Sequence, residues 1–107
     1  MERRKHERLR ILKRGKVVQR RGALTFDCTI RDMSPHGAWI ALAPGQALDD
    51  AFELIEVKSG RAFDATVVWR DEASARLRFA GEADLSQAGA APHKAHLRRL
   101  WLDYAPR

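Results

Sequence analysis

The chain has 107 residues, 45% of them hydrophobic and 32% charged, with a net charge of +6. That size and balance describe one globular domain with a single modest core and exclude a disordered polymer. No apolar run reaches the ~18 residues of a membrane span, no apolar stretch follows the N-terminal charges as in a signal peptide, and Cys28, the one cysteine, excludes an internal disulfide, so a cytoplasmic domain is expected.

Residues 1–10 alternate charge too densely to bury a face, and they read as a flexible basic arm. Residues 1–21 hold ten Lys or Arg against two acids, whereas residues 22–92 hold six bases against eleven acids. Residues 93–107 are basic again, with four bases and one acid. A basic leader and tail thus flank a mildly acidic body, and the leader should attract anions over the ~8 Å that physiological salt allows.

A first strand is predicted from Lys13 to Gln19, with Gly15 as a possible bulge, followed by a turn at Arg20-Arg21-Gly22. Next comes the clearest alternation, Phe26, Cys28 and Ile30 against Asp27, Thr29 and Arg31. Pro35-His36-Gly37 ends that strand, and Ala38, Ile40 and Leu42 begin a third. After the turn signal Pro44-Gly45, a fourth and less cleanly patterned strand runs from Phe52 to Val57. Lys58-Ser59-Gly60-Arg61 is a hairpin connection into a long fifth strand, where Phe63, Ala65, Val67 and Trp69 share a face. A sixth carries Leu77 and Phe79 opposite Arg76 and Arg78. The period then changes: Leu97, Leu100, Trp101 and Tyr104 form one helical stripe, bracketed by Pro92 and Pro106, giving a C-terminal helix over about 93–104 that covers the open side or end of the strands. Six short half-buried strands predict an all-β barrel or sandwich.

Two motifs carry the functional reading. Arg4-Lys5-His6-Glu7-Arg8 is R-x-x-x-R, and Asp32-Met33-Ser34-Pro35-His36-Gly37 is D-x-S-x-x-G at a strand end. Arginine forks suit phosphates and the Hoogsteen edge of guanine, a carboxylate accepts from guanine N–H groups, and a hydroxyl adds a small polar contact. A glycine admits close approach. Each motif also has a plain reading, as arm charge and as turn chemistry. The ordered pair, with Cys28-Thr29-Ile30-Arg31-Asp32-Met33-Ser34, Val67-Val68-Trp69-Arg70 and the closing helix, resembles the PilZ family over nearly the whole chain. That family binds the bacterial second messenger cyclic di-GMP.

The resemblance implies an all-β fold: a six-stranded antiparallel β-barrel, residues 11–107, with a C-terminal α-helix and the flexible basic N-terminal arm of residues 1–10. It implies cyclic di-GMP as ligand, with no other cofactor and no metal. The implied ligand-binding residues are Arg4 and Arg8 as clamps, Asp32, Ser34 and Gly37 on the barrel, and Arg3, which goes with a stacked ligand pair. Trp69 is a further candidate, either core packing or contact with a guanine. Gly37 is expected to keep the ligand side open or to supply an unusual backbone angle. His36 departs from the family pattern, where many relatives carry a second glycine. Trp39 and Trp101 are assigned to packing.

Enzymatic chemistry is not expected. Asp32, Ser34 and His36 are spaced by twos along one strand end, which does not build a nucleophile–base–acid relay, and His93 with His96 are too few for a zinc site. The expected function is a ligand-operated switch or adaptor for an unidentified downstream effector protein, without membrane insertion. Two alternatives stand beside it. One is a small basic barrel binding single-stranded nucleic acid, which a pI near 10.2 permits. Against it, no strand shows the repeated exposed aromatics of a single-strand reader. The other is a PilZ-like interaction module that binds no nucleotide.

Overall fold

The structure is a computed structural model describing residues 12–87 and 94–104. Six strands, β1 (Lys13–Gln19), β2 (Leu24–Ser34), β3 (Gly37–Ala41), β4 (Ala51–Glu56), β5 (Arg61–Arg70) and β6 (Ser74–Asp84), precede one helix, α1 (Ala95–Tyr104). All neighbours are antiparallel, and the strands close into a barrel in the order β1-β2-β3-β6-β5-β4. Closure leaves no free sheet edge, which removes the template for strand-mediated aggregation. The expected barrel and helix are therefore both present; the arm of residues 1–10, Pro92 and Pro106 lie outside the described residues.

The alternation read from the sequence fills the interior. Val17, Cys28, Ile30, Ile40, Leu54, Ala75 and Leu77 form the core, and Phe63 stacks on Phe79 with centroids 4.3 Å apart. Gly15 is not a bulge: β1 runs in uninterrupted register against both β2 and β4. A Cβ at Gly15 would sit 2.8 Å from Cys28 Sγ and 3.0 Å from Ile30 Cγ1, so the position is glycine because the core leaves no room for more.

A second apolar cluster lies on the outside of the wall. Val18, Ile55, Ala62 and Leu85 pack against Leu97, with Leu100 and Trp101 alongside. The helix therefore covers the outer face of β1, β4 and β5 rather than an open side or end of the barrel. Strands under it are buried on both faces, which is why β4 lacks clean alternation: Phe52 and Leu54 serve the interior while Ile55 serves the helix. Trp101 Nε1 donates to the Val57 carbonyl at 2.6 Å, pinning α1 to the β4–β5 turn.

Of three register shifts among the described residues of the barrel, the third lying between Asp64 and Ala65 where β6 carries the extra residue, two re-aim side chains at the candidate site. One falls at Arg31, between the pairs Ile30↔Ile40 and Asp32↔Trp39; the other falls at Val68, between Val67↔Leu77 and Trp69↔Arg76. Each inserts one residue on its strand, so the inward and outward faces exchange beyond it.

Candidate functional site on the β2–β3–β6 face

The bulge at Arg31 builds the site. Continuing the Phe26–Cys28–Ile30 alternation would send Asp32 and Ser34 into the core. With one extra residue inserted, Met33 packs on the core instead, and Asp32 and Ser34 turn outward. They meet Gly37 across a two-residue hairpin turn, Pro35-His36. Ser34 Oγ accepts the His36 backbone N–H at 3.1 Å, and Phe79 N–H donates to the His36 carbonyl at 2.8 Å, so the turn is tied both to itself and to β6.

Asp32, Ser34 and Gly37 line one surface cavity of about 280 Å³. Gly37 does not supply an unusual angle, since it is absent from the positive-φ residues. Its Cβ would stand 2.0 Å from the Leu77 carbonyl oxygen, so the glycine is required by the close approach of β6.

The opposite wall of the cavity is β6. Register places Arg78 across from Gly37 and Arg76 across from Trp39. Two lateral rows result on the outer surface: Ser34–Gly37–Arg78–Thr66 and Asp32–Trp39–Arg76–Trp69. Trp39 is not simply packed. The guanidinium groups of Arg31 and Arg76 both lie over its ring, with Cζ atoms 5.6 Å and 5.0 Å from the ring centroid. Its indole Nε1 is buried with no hydrogen-bond partner among the described residues. Trp101, by contrast, packs as expected.

Trp69 is displaced from its expected face. The bulge at Val68 takes it off the Phe63 face and leaves it 49% exposed, paired with Arg76. It is thus not a core residue. It flanks the cavity beyond Arg76, while Val68 is the β5 residue in the lining itself. Arg3, Arg4 and Arg8 lie outside the described residues.

A larger opening of about 370 Å³ adjoins the site through Ser34 and Pro35. It is the mouth of the barrel, floored by Met33 and Phe63 and ringed by two ion pairs, Lys13–Glu56 at 2.6 Å and Arg61–Glu82. Lys13, the first residue of β1, thus lines the same opening as Ser34 and Pro35 of the motif.

The family-model comparison matches the PilZ domain over residues 2–100. The chain belongs to the PilZ family. The crystal structure of the PilZ domain of CeSA from a cellulose-synthesizing bacterium shares the fold, with a TM-score of 0.53 at 14% identity, covering 91% of this chain and 96% of that one. No curated protein sequence matches the chain.

Sequence reasoning on this PilZ domain missed Arg76, Arg78, Val68 and the half-buried place of Trp39 in the cavity wall. Alternation with Leu77 and Phe79 had marked both arginines as outward-facing. What was missing was the neighbour: β6 lies beside β3, 33 residues or more away in the chain, and strand order is not written in local pattern. Among the described residues no cluster of His, Cys, Asp and Glu could hold a metal ion, and no helix is long and apolar enough to cross a membrane.

Proposed function

We propose that this PilZ domain binds cyclic di-GMP and acts as a ligand-operated switch or adaptor for a downstream protein, without catalysis. The observation that carries the reading is the convergence of Asp32, Ser34 and Gly37 on one cavity beside the point where the N-terminal segment joins the barrel. Lys13 pairs with Ile30, two residues before Asp32. From Lys13 back to Arg8 the chain can extend roughly 17 Å, ample to bring a guanidinium over the cavity.

Ligand docks first against Asp32 and Ser34. The arm then closes over it, led by Arg4 and Arg8, with Arg3 available to a second stacked ligand. Ordering the arm costs ~1–2 kcal/mol per residue, so it closes only around several strong contacts. Two guanines and two phosphates supply them. Trp69, exposed beside Arg76, offers a stacking surface worth ~1–3 kcal/mol to a base that reaches it. The closed arm presents a new surface to the effector.

Calorimetric titration with cyclic di-GMP, with GTP and a short RNA as controls, tests the proposal. Heat is expected from cyclic di-GMP alone, and Arg4→Ala or Asp32→Ala should each weaken it about tenfold or more. Equal heats from all three ligands would overturn it, and heat from RNA alone that collapses steeply with salt would assign the barrel to nucleic acid instead.

A further inference from the structure

We infer that Arg76 and Arg78, on β6, are ligand contacts supplied by the barrel wall itself: Arg78 engages a phosphodiester of the cyclic dinucleotide, and Arg76 stacks its guanidinium on a purine. The inference rests on the cyclic di-GMP reading and extends its site beyond the two sequence motifs.

Charge is the first ground. Between Gly22 and Pro92 acids outnumber bases eleven to six, so cations in that stretch have carboxylates to spare. Arg61 is paired with Glu82 and Arg70 with Asp50. Arg76 and Arg78 both line the cavity, both are exposed, and neither has a carboxylate within ion-pair distance among the described residues. Two unneutralised guanidinium groups on one cavity wall make that wall an anion site. The carboxylate of Asp32 on the other wall gives the cavity opposite polarities on its two sides, matching a ligand with acidic phosphates and N–H-bearing bases.

Register is the second. In the row Ser34–Gly37–Arg78 the middle residue has no side chain, its Cβ position being taken by the Leu77 carbonyl, so no side chain stands between the hydroxyl and the guanidinium along the cavity wall. An oxyanion there reaches both. In the row Asp32–Trp39–Arg76–Trp69, the Arg76 guanidinium lies over the Trp39 ring at 5.0 Å. That contact holds the guanidinium at the cavity wall, where a planar cation can stack on a base. Trp39 is thereby a positioning residue for Arg76.

The test is calorimetric titration of the full chain with cyclic di-GMP, comparing wild type, Asp32→Ala, Arg76→Ala, Arg78→Ala and Arg99→Ala, with thermal melts to verify folding of each. Arg99 is exposed on α1, across the barrel from the cavity. Arg76→Ala and Arg78→Ala should each raise Kd about tenfold while melting like wild type, and Arg99→Ala should leave Kd unchanged. Wild-type affinity in both β6 variants, alongside loss in Asp32→Ala, would overturn the inference and leave the cyclic di-GMP reading standing; loss in only one would overturn the role given to the other. No heat from wild type overturns both.

Discussion

Gly37 stands in the ligand motif, yet the structure gives it a duty to the fold: a methyl group there would collide with the Leu77 carbonyl at 2.0 Å. Gly37→Ala must push β6 off β3, and overpacking of this kind costs about 1–3 kcal/mol. We expect the urea midpoint to fall and binding to weaken with it; a variant of unchanged stability that has lost the ligand would show instead that the glycine serves the ligand alone. Cys28 makes a pH-dependent prediction. Burial, reinforced by the Asp27 carboxylate and opposed by Lys16, pushes its thiol up to about 12 from an ordinary value of 9.0. Above pH 9 the unfolded thiol releases its proton while the folded one keeps it, so stability present below pH 9 is lost as pH rises toward 12, at about 1.4 kcal/mol per pH unit for this group. Denaturation across pH 8–11 should show a shallower alkaline decline for Cys28→Ala than for wild type, whatever their offset at pH 8. At this scale the identities of Asp32, Ser34 and Gly37 were legible, but their orientation was not. Alternation from Phe26 points Asp32 inward, and alternation from Phe63 does the same for Trp69; one inserted residue in each strand reverses both. A bulge depends on how a neighbouring strand pairs, so single-strand periodicity does not carry it.

Elements show the same division between pattern and placement. The stripe Leu97, Leu100, Trp101 was legible as a helix face, and Leu97 is fully buried. Where that face lands was hidden, because β1 and β4 bury both of their sides and lose the alternation that would have marked an outer wall as occupied. Polar contacts also fix α1 beyond its apolar face, among them Arg98 donating to the Leu85 carbonyl. Trp101 donates to the Val57 carbonyl, and Lys94 lies between Glu53 and Asp64, 2.9 Å from each. Burial pulls the Lys94 pKa down, but hydrogen bonds to Asp64 and Glu53 more than offset it, so the net shift is upward. The ammonium therefore stays charged in the folded state through neutral and moderately alkaline pH. Trp101→Phe keeps most of the buried ring and deletes the indole donor, so it should cost about 1 kcal/mol in a denaturant titration. A change near zero would show that water replaces the indole at that carbonyl. Because α1 sits on the wall opposite the β2–β3–β6 cavity, this variant should hold cyclic di-GMP as wild type does, which the same titration reads.

Over the whole molecule, closure and charge separate two jobs. Among the described residues closure is already complete from Lys13 onward: β1 pairs with β2 from Lys13 through Gln19 and with β4 from Gly15 through Val18. Because the described strands close the barrel by themselves, fold stability is expected not to need residues 1–10, within which the proposed clamps, Arg4 and Arg8, lie. Deleting residues 1–10 is expected to leave the far-ultraviolet circular dichroism of the barrel and its thermal midpoint essentially in place. The same deletion should weaken cyclic di-GMP binding by about a hundredfold, the equivalent of losing two bidentate arginine contacts. The remaining affinity would come from the barrel wall, Asp32 and Ser34 with the β6 arginines. Salt gives a second reading of the same division. The full chain carries +6, but its ligand offers two phosphates, so Kd should rise only modestly between 50 and 200 mM salt, by far less than the ~10³–10⁵ of a protein making six to ten phosphate contacts. A truncated chain that binds as tightly as the full one would remove the arm from the mechanism. It would place recognition wholly on the β2–β3–β6 face, where both conserving the fold and gripping the ligand would then fall to the same residues.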